Sequence, residues 1–283
     1  MERRKQIFQT KISKKIRLQR HRFNRGDIFI EKDVVNLFEN FKGKIIWSAD
    51  GISLEEIIKI IKFGDFPKKD IAIKLDRLFL TRYGLYAIGE IQKLGVPVFA
   101  DAKIVEIPSK TNEIAKLHLD FSPWMLNVMA DVCSDGIIPA CGLEKADELA
   151  QFAQLCKNAG TKSCAVTILT SKTEEMVQKE YGKSSQDAVE MLARLAIECG
   201  ITDIVCSPLE AKIVRAIDNL IDINTPGVRL PESSADDQSR IMTPNKALEN
   251  GATRLVIGRD LSRDNKFTDN YFKIMANIEG RVS

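Results

Sequence analysis

Long apolar runs, histidine, paired cysteine spacings and hairpin turns are all scarce in this chain of 283 residues. No apolar stretch approaches the roughly 20 residues a membrane-crossing helix needs. Nor is there the apolar core of a secretion signal near the start, so a soluble, cytoplasmic protein without a membrane partner is expected. Histidine occurs only as His21 and His118, and none of the six cysteines shows CxxC spacing, so no metal site is expected. Cys133, Cys141, Cys156, Cys164, Cys199 and Cys206 lie mostly in apolar or helical surroundings and read as reduced thiols. No Gly-rich first turn of the dinucleotide type is present, nor any Cys–His or Ser–His pair. With no cofactor loop in view, the chemistry expected is one that positioned charges can carry by themselves.

At 44% hydrophobic, the chain can bury a large core as one domain. Its charge is uneven. Residues 1–25 hold ten Lys/Arg against one acid, Glu2, a formal +9 that leaves −6 on the remainder of a +3 chain. Apart from Phe8 and Phe23 this segment lacks the interleaved aromatics of a nucleic-acid surface, and it is poor in serine. Residues 1–26 are therefore expected to be a solvated basic extension with no nucleic-acid partner, and residues 27–283 the catalytic domain.

From residue 45 onward, strand and helix patterns alternate. Strands are expected at 45–49, 71–74, 98–103, 124–129, 164–169, 203–206, 222–224 and 255–257. Amphipathic helices are expected at 53–63, 80–94, 110–119, 144–159, 173–181, 185–199, 209–220 and 243–250, with apolar residues recurring at three and four as in Leu54, Ile57, Ile58 and Ile61. Ser53 with Glu56 reads as a capping box. Residues 260–270 are too polar to assign. Eight strands, each followed by a helix or loop, fit a single-domain α/β (β/α)8 TIM barrel of about 250 residues better than a doubly wound open sheet.

Barrel chemistry sits at the carboxyl ends of the strands. Asp50 follows strand one, Lys74 ends strand two, and Asp101 and Lys103 end strand three, two residues apart and so on one face. Glu106 lies on the loop just beyond, before Pro108. A row of alternating charges on neighbouring strands is costly to bury unless it serves a ligand. Across the mouth, strand seven runs into Thr225-Pro226-Gly227-Val228-Arg229 and strand eight into Gly258-Arg259. Loops after strands seven and eight commonly grip phosphate, and arginine supplies a bidentate, permanently charged fork. The polar stretch 230–240, with Asp236-Asp237-Gln238, has the length of a lid. His118 is read as a surface or interface histidine, and Trp47 and Trp124 as barrel packing.

The segment Asp101-Ala-Lys103-Ile-Val-Glu106-Ile-Pro108 resembles the strand-three signature Asp-x-Lys-x-x-Asp-Ile-Pro of the orotidine 5′-phosphate decarboxylase family. Thr225-Pro-Gly-Val-Arg229, Asp237-Gln238 and Gly258-Arg259 are similar to its phosphate and lid motifs, in the same order, and resemble its long-lid bacterial-type branch. The resemblance implies cofactor-free decarboxylation of orotidine 5′-phosphate (OMP) to UMP, the last step of de novo pyrimidine biosynthesis. It implies that Lys103 stabilises and protonates a C6 carbanion and that Asp101 faces the substrate carboxylate. Asp50 and Lys74 would hold ribose hydroxyls, Thr170 the pyrimidine, and Arg229, Gln238, Gly258 and Arg259 the phosphate and lid. Glu106 would reach the neighbouring site of a homodimer. The chain departs from the family pattern in Glu106 for Asp, Ser109-Lys110 for Asn-Thr, Met129 for His, and Asp76-Arg77 for Gly-Lys. Two other readings remain: a different phosphate-binding barrel lyase of the same superfamily (a sugar-phosphate synthase or decarboxylase), or a non-catalytic nucleotide-binding barrel.

Overall fold

Short runs of Ile, Val, Leu and Ala make the strands, and side-chain parity decides what each residue faces. The computed structural model describes Phe38 and residues 40–132, 147–231 and 241–281, all within one compact unit. The basic extension 1–26, Cys133, Cys141 and Gln238 lie outside the described residues, as does the 232–240 part of the expected lid. The strands are β1 (Ile45–Ser48), β2 (Ile71–Asp76), β3 (Val98–Ile104), β4 (Met125–Met129), β5 (Lys162–Val166), β6 (Asp203–Val205), β7 (Asp222–Thr225) and β8 (Arg254–Ile257). They pair in parallel and in chain order, and β1 joins β8 to close the barrel. The fold expected from the alternation is the one observed.

Between the strands run α1 (Leu54–Phe63), α2 (Arg77–Tyr83), α3 (Tyr86–Gln92), α4 (Pro108–Leu119), α5 (Asp147–Asn158), α6 (Glu174–Tyr181), α7 (Ser185–Glu198), α8 (Ala211–Ile217) and α9 (Pro244–Glu249). After β8 come α10 (Arg259–Ser262) and α11 (Phe267–Ile278). Ser53 caps α1 as expected, its hydroxyl accepting from the Glu56 N–H at 3.2 Å. None of the described helices is long and apolar enough to cross a membrane.

The structure departs from the expected elements at 80–94 and 164–169, and it fills one stretch left unassigned. The single helix expected at 80–94 is two, α2 and α3, broken at Gly84, whose φ of 79° and ψ of 163° suit glycine. Strand β5 covers 162–166 rather than 164–169, and at Thr167, just past its end, both the N–H and the hydroxyl donate to the Val205 carbonyl. The unassigned 260–270 stretch leads into α11, whose buried Phe267, Tyr271 and Ile274 form a helical stripe that its polar neighbours conceal.

Alternate strand residues divide the core in two. Ile45, Trp47, Ile71, Ile73, Val98 and Leu126 join the layer between sheet and helices. There Trp47 packs edge-on against Phe267 with ring centroids 4.7 Å apart. Ile46, Ala72, Phe99, Met125, Cys164 and Val256 form a second apolar cluster with the opposite parity, inside the barrel. At the amino ends of β5 to β8, Lys162, Asp203, Asp222 and Arg254 make a separate ionic floor, with Arg254 2.9 Å from the fully buried Asp203. Charges at that end close the barrel and read as stability.

Candidate active site

Two residues beyond Ala72 and Phe99, the inward parity delivers Lys74 and Asp101 just above the apolar layer. Lys74 Nζ lies 2.9 Å from Asp50 Oδ1 and 2.8 Å from Asp101 Oδ2. Lys103 Nζ lies 2.6 Å from both oxygens of Asp101. The four groups form a chain of alternating sign, neutral in sum. Burial alone would lower the Lys74 pKa, but the carboxylates of Asp101 and Asp50 outweigh it and raise it above the ordinary lysine range. Burial likewise pushes Asp101 up, and the ammoniums of Lys74 and Lys103 overcome that and hold it well below the usual carboxylate range. Each buried ion is tolerable only because its neighbours carry the opposite charge.

Lys103 does not continue the strand regularly. Its φ of 43° is left-handed, and the β3–β4 register shifts between Ala100 and Ile104. Its ammonium reaches Asp101 from that bend, not from the straight strand that simple alternation predicts. Asn127, fully buried on β4, accepts from the Lys103 N–H at 2.7 Å and donates to Asp101 Oδ1 at 2.7 Å. Ser48 donates to Asp50 Oδ2 at 2.7 Å. Neither Asn127 nor Ser48 was singled out from sequence. An amide inside the otherwise apolar strand Met-Leu-Asn-Val-Met was the available signal.

A cavity of about 480 Å³ opens over this row. Its walls include Asp50, Lys74, Asp101 and Lys103 together with Thr170, Arg229, Gly258 and Arg259. Arg229 is 8% exposed, and its Nε–H has no hydrogen-bond partner among the described residues. A buried guanidinium donor left open beside a cavity is suited to an anion. Gly227 on the same wall takes a φ of 78°, which lets the β7 loop turn into the mouth. Leu230 N–H is held by Asp260 Oδ2 at 2.9 Å, tying the β7 loop to α10.

Residues 43–270 match the model of the family described as Orotidine 5′-phosphate decarboxylase / HUMPS. The chain belongs to this family. Orotidine 5′-phosphate decarboxylase of Staphylococcus aureus is 32% identical over 231 residues, 79% of this chain and 94% of its own length. The protein of the same name from Chromohalobacter salexigens is 34% identical over 194 residues, covering 68% and 78% of the two chains. The crystal structure of orotidine 5′-phosphate decarboxylase from Lactobacillus acidophilus superposes with a TM-score of 0.67 at 25% identity, over 83% of this chain and 99% of that one.

Of the ten residues given site roles from the sequence, eight share the cavity, and Gln238 lies outside the described residues. Glu106 does not share it. It lies in a second cavity of about 300 Å³ with Arg77, Thr81 and His118, between α2, β3 and α4. Its Oε2 accepts from the Ile107 N–H at 3.1 Å. His118, expected at a surface or interface, is 9% exposed, with Nδ1 2.8 Å from the Ile114 carbonyl, and burial lowers its pKa. Trp47 and Trp124 are buried and line neither cavity. The thiols of Cys156, Cys164 and Cys206 are pushed upward by burial, that of Cys156 to about 12, which leaves them poor nucleophiles.

Proposed function

We propose that this protein decarboxylates orotidine 5′-phosphate to UMP and CO2, the last step of de novo pyrimidine biosynthesis. The observation that carries the reading is one cavity, in a chain of this family, that joins the Asp50–Lys74–Asp101–Lys103 row to Arg229 and Arg259. The phosphate binds at the arginines and Gly258, with Gln238 of the 230–240 stretch as a further phosphate ligand. The base lies over the charge row beside Thr170, and Asp50 and Lys74 take ribose hydroxyls.

The C6–carboxylate bond breaks heterolytically. CO2 leaves without the electron pair, which stays on C6. Asp101 repels the substrate carboxylate, and that repulsion vanishes as CO2 departs. Attraction between Lys103 and the growing carbanion rises over the same path. Both changes favour the transition state over the bound substrate, which is what accelerates a reaction. Lys103 Nζ then gives its proton to C6 and recovers one from solvent. No step needs a group that the chain does not supply.

The active form is a cytoplasmic homodimer in which Glu106 serves the neighbouring site. Supporting this, Glu106 lies outside its own subunit's main cavity, and its neighbours Val105 and Ile107 are 52% and 62% exposed. Residues 27–283 form the catalytic domain, and residues 1–26 are a basic extension that takes no part in the chemistry.

The test is loss of OMP absorbance with purified protein. Wild type consumes OMP, whereas Lys103→Ala loses decay while holding UMP with nearly unchanged affinity. Persistent decay in Lys103→Ala would refute the role given to that lysine.

A further inference from the structure

We propose that Arg77 is a positioning residue for Lys103. It grips the peptide groups on either side of that lysine's Cα and so sets where the ammonium points. The inference rests on the proposed function and extends it to a residue at which the chain departs from the family pattern.

Left-handed geometry at a residue with a Cβ persists only when its surroundings hold it. At Lys103 the strand ladder cannot do so, because the β3–β4 pairing slips between Ala100 and Ile104. Side chains take its place. From β4, Asn127 Oδ1 accepts the Lys103 N–H at 2.7 Å. From the first residue of α2, Arg77 Nε donates to the Ala102 carbonyl at 2.9 Å, and Nη2 of the same guanidinium donates to the Lys103 carbonyl. Both peptide planes that meet at Lys103 are thus fixed. One planar fork spans two successive carbonyls, a geometry that a point-charge ammonium cannot reproduce.

The location of Arg77 allows this without intrusion on substrate. It lines the second cavity, not the main one, and forms no ion pair among the described residues. Its charge is spent on backbone oxygens. Asp76, just before it, accepts from the Phe79 N–H at 2.7 Å and starts α2, which aims Arg77 at the end of β3. Without the fork, Lys103 is free to relax towards ordinary strand geometry and swing its Nζ away from Asp101. A displacement of about 1 Å in a reacting group costs on the order of 100-fold in rate.

The experiment compares full-length wild type, Arg77→Ala and Arg77→Lys in OMP decay, UMP affinity and assembly mass. Arg77→Ala is expected to lower kcat about 10- to 100-fold, with KM and UMP affinity within about twofold. Arg77→Lys, which can reach one carbonyl at a time, should recover part of the loss. Because the Arg77 side chain is exposed, guanidinium ion added below denaturing concentration should restore turnover to Arg77→Ala and leave wild type unaffected. Unchanged kcat in Arg77→Ala overturns the inference. So does a loss that guanidinium cannot restore and that comes with altered assembly mass or UMP affinity, since that marks a merely structural role. Wild type inert towards OMP would instead overturn the function on which the inference rests.

Discussion

At the scale of single residues, the site is a problem of keeping two buried ions, Lys74 and Asp101, charged in a place that disfavours ions. Lys74 and Asp101 are each under a tenth exposed and keep their charges only by touching opposite charges on adjacent strands. That dependence made them conspicuous in the sequence, since charges at the ends of otherwise apolar strands demand a reason. Arg77 was less legible because its partners are backbone atoms of a bend that no residue pattern announces, and Asn127 because one of its two partners, the Lys103 N–H, belongs to the same bend. Glu106 stands apart, with its carboxylate folded back on its own helix start and one methylene longer than the aspartate of the family signature. If it serves a neighbouring site, the tolerance of that site decides the outcome of shortening it. Glu106→Asp is expected to keep or raise kcat for OMP. Complete loss of turnover in that variant would rule out a site that accepts either length.

Elements were easiest to anticipate where their own capping chemistry is strong. The start of α1 at Leu54 follows from Ser53, whose hydroxyl caps it. The α2–α3 segment was harder, because apolar spacing continues across Gly84 and hides the break. The backbone there holds φ 79° and ψ 163°, and an added Cβ would sit 3.2 Å from a Tyr86 ring carbon. Gly84→Ala should therefore destabilise the fold by about 1–3 kcal/mol, seen as a lower thermal midpoint. Its kcat, measured well below that midpoint, should stay near wild type, since Gly84 lines neither cavity. An unchanged midpoint would mean that the break costs an L-residue nothing.

For the whole molecule, pH exposes how its buried charges are balanced. Asp101 is held below its ordinary value of 3.8, so its stabilisation is complete above that pH and is lost as pH falls through the lower folded value. Lys74 is raised above 10.5, so its contribution is complete below that pH and is lost as pH rises through the higher folded value. His118 is lowered from 6.5 by burial, so its contribution is complete above 6.5 and declines as pH falls through its folded value. Denaturant midpoints should thus be level from about pH 6.5 to about 9, with His118 giving the first loss on the acid side and the buried thiols of Cys156, Cys164 and Cys206, raised from 9.0, the first on the alkaline side. His118→Leu should flatten that early decline and leave the steeper carboxylate limb. An identical acid profile in the variant would acquit His118. Assembly has its own test. Lys103→Ala and Glu106→Ala subunits, each inactive alone, should regain part of the activity when mixed, because a hybrid dimer rebuilds one whole site. No recovery after confirmed subunit exchange would place Glu106 outside the neighbour's site.

Strand order, the layered barrel and the charged groups on either side of its mouth could be read from sequence because each rests on short-range periodicity. An apolar run makes a strand, parity assigns its faces, and a barrel puts successive strands side by side. The family motifs added the reaction, and the chain's membership of that family agrees with it. What only the tertiary structure decided is long-range and backbone-borne. It set the left-handed turn at Lys103, the amide of Asn127 shared between lysine and aspartate, the guanidinium spanning two carbonyls, and the separation of Glu106 from its own cavity. Peptide groups carry no sequence identity, so hydrogen bonds to them appear only when the chain has closed.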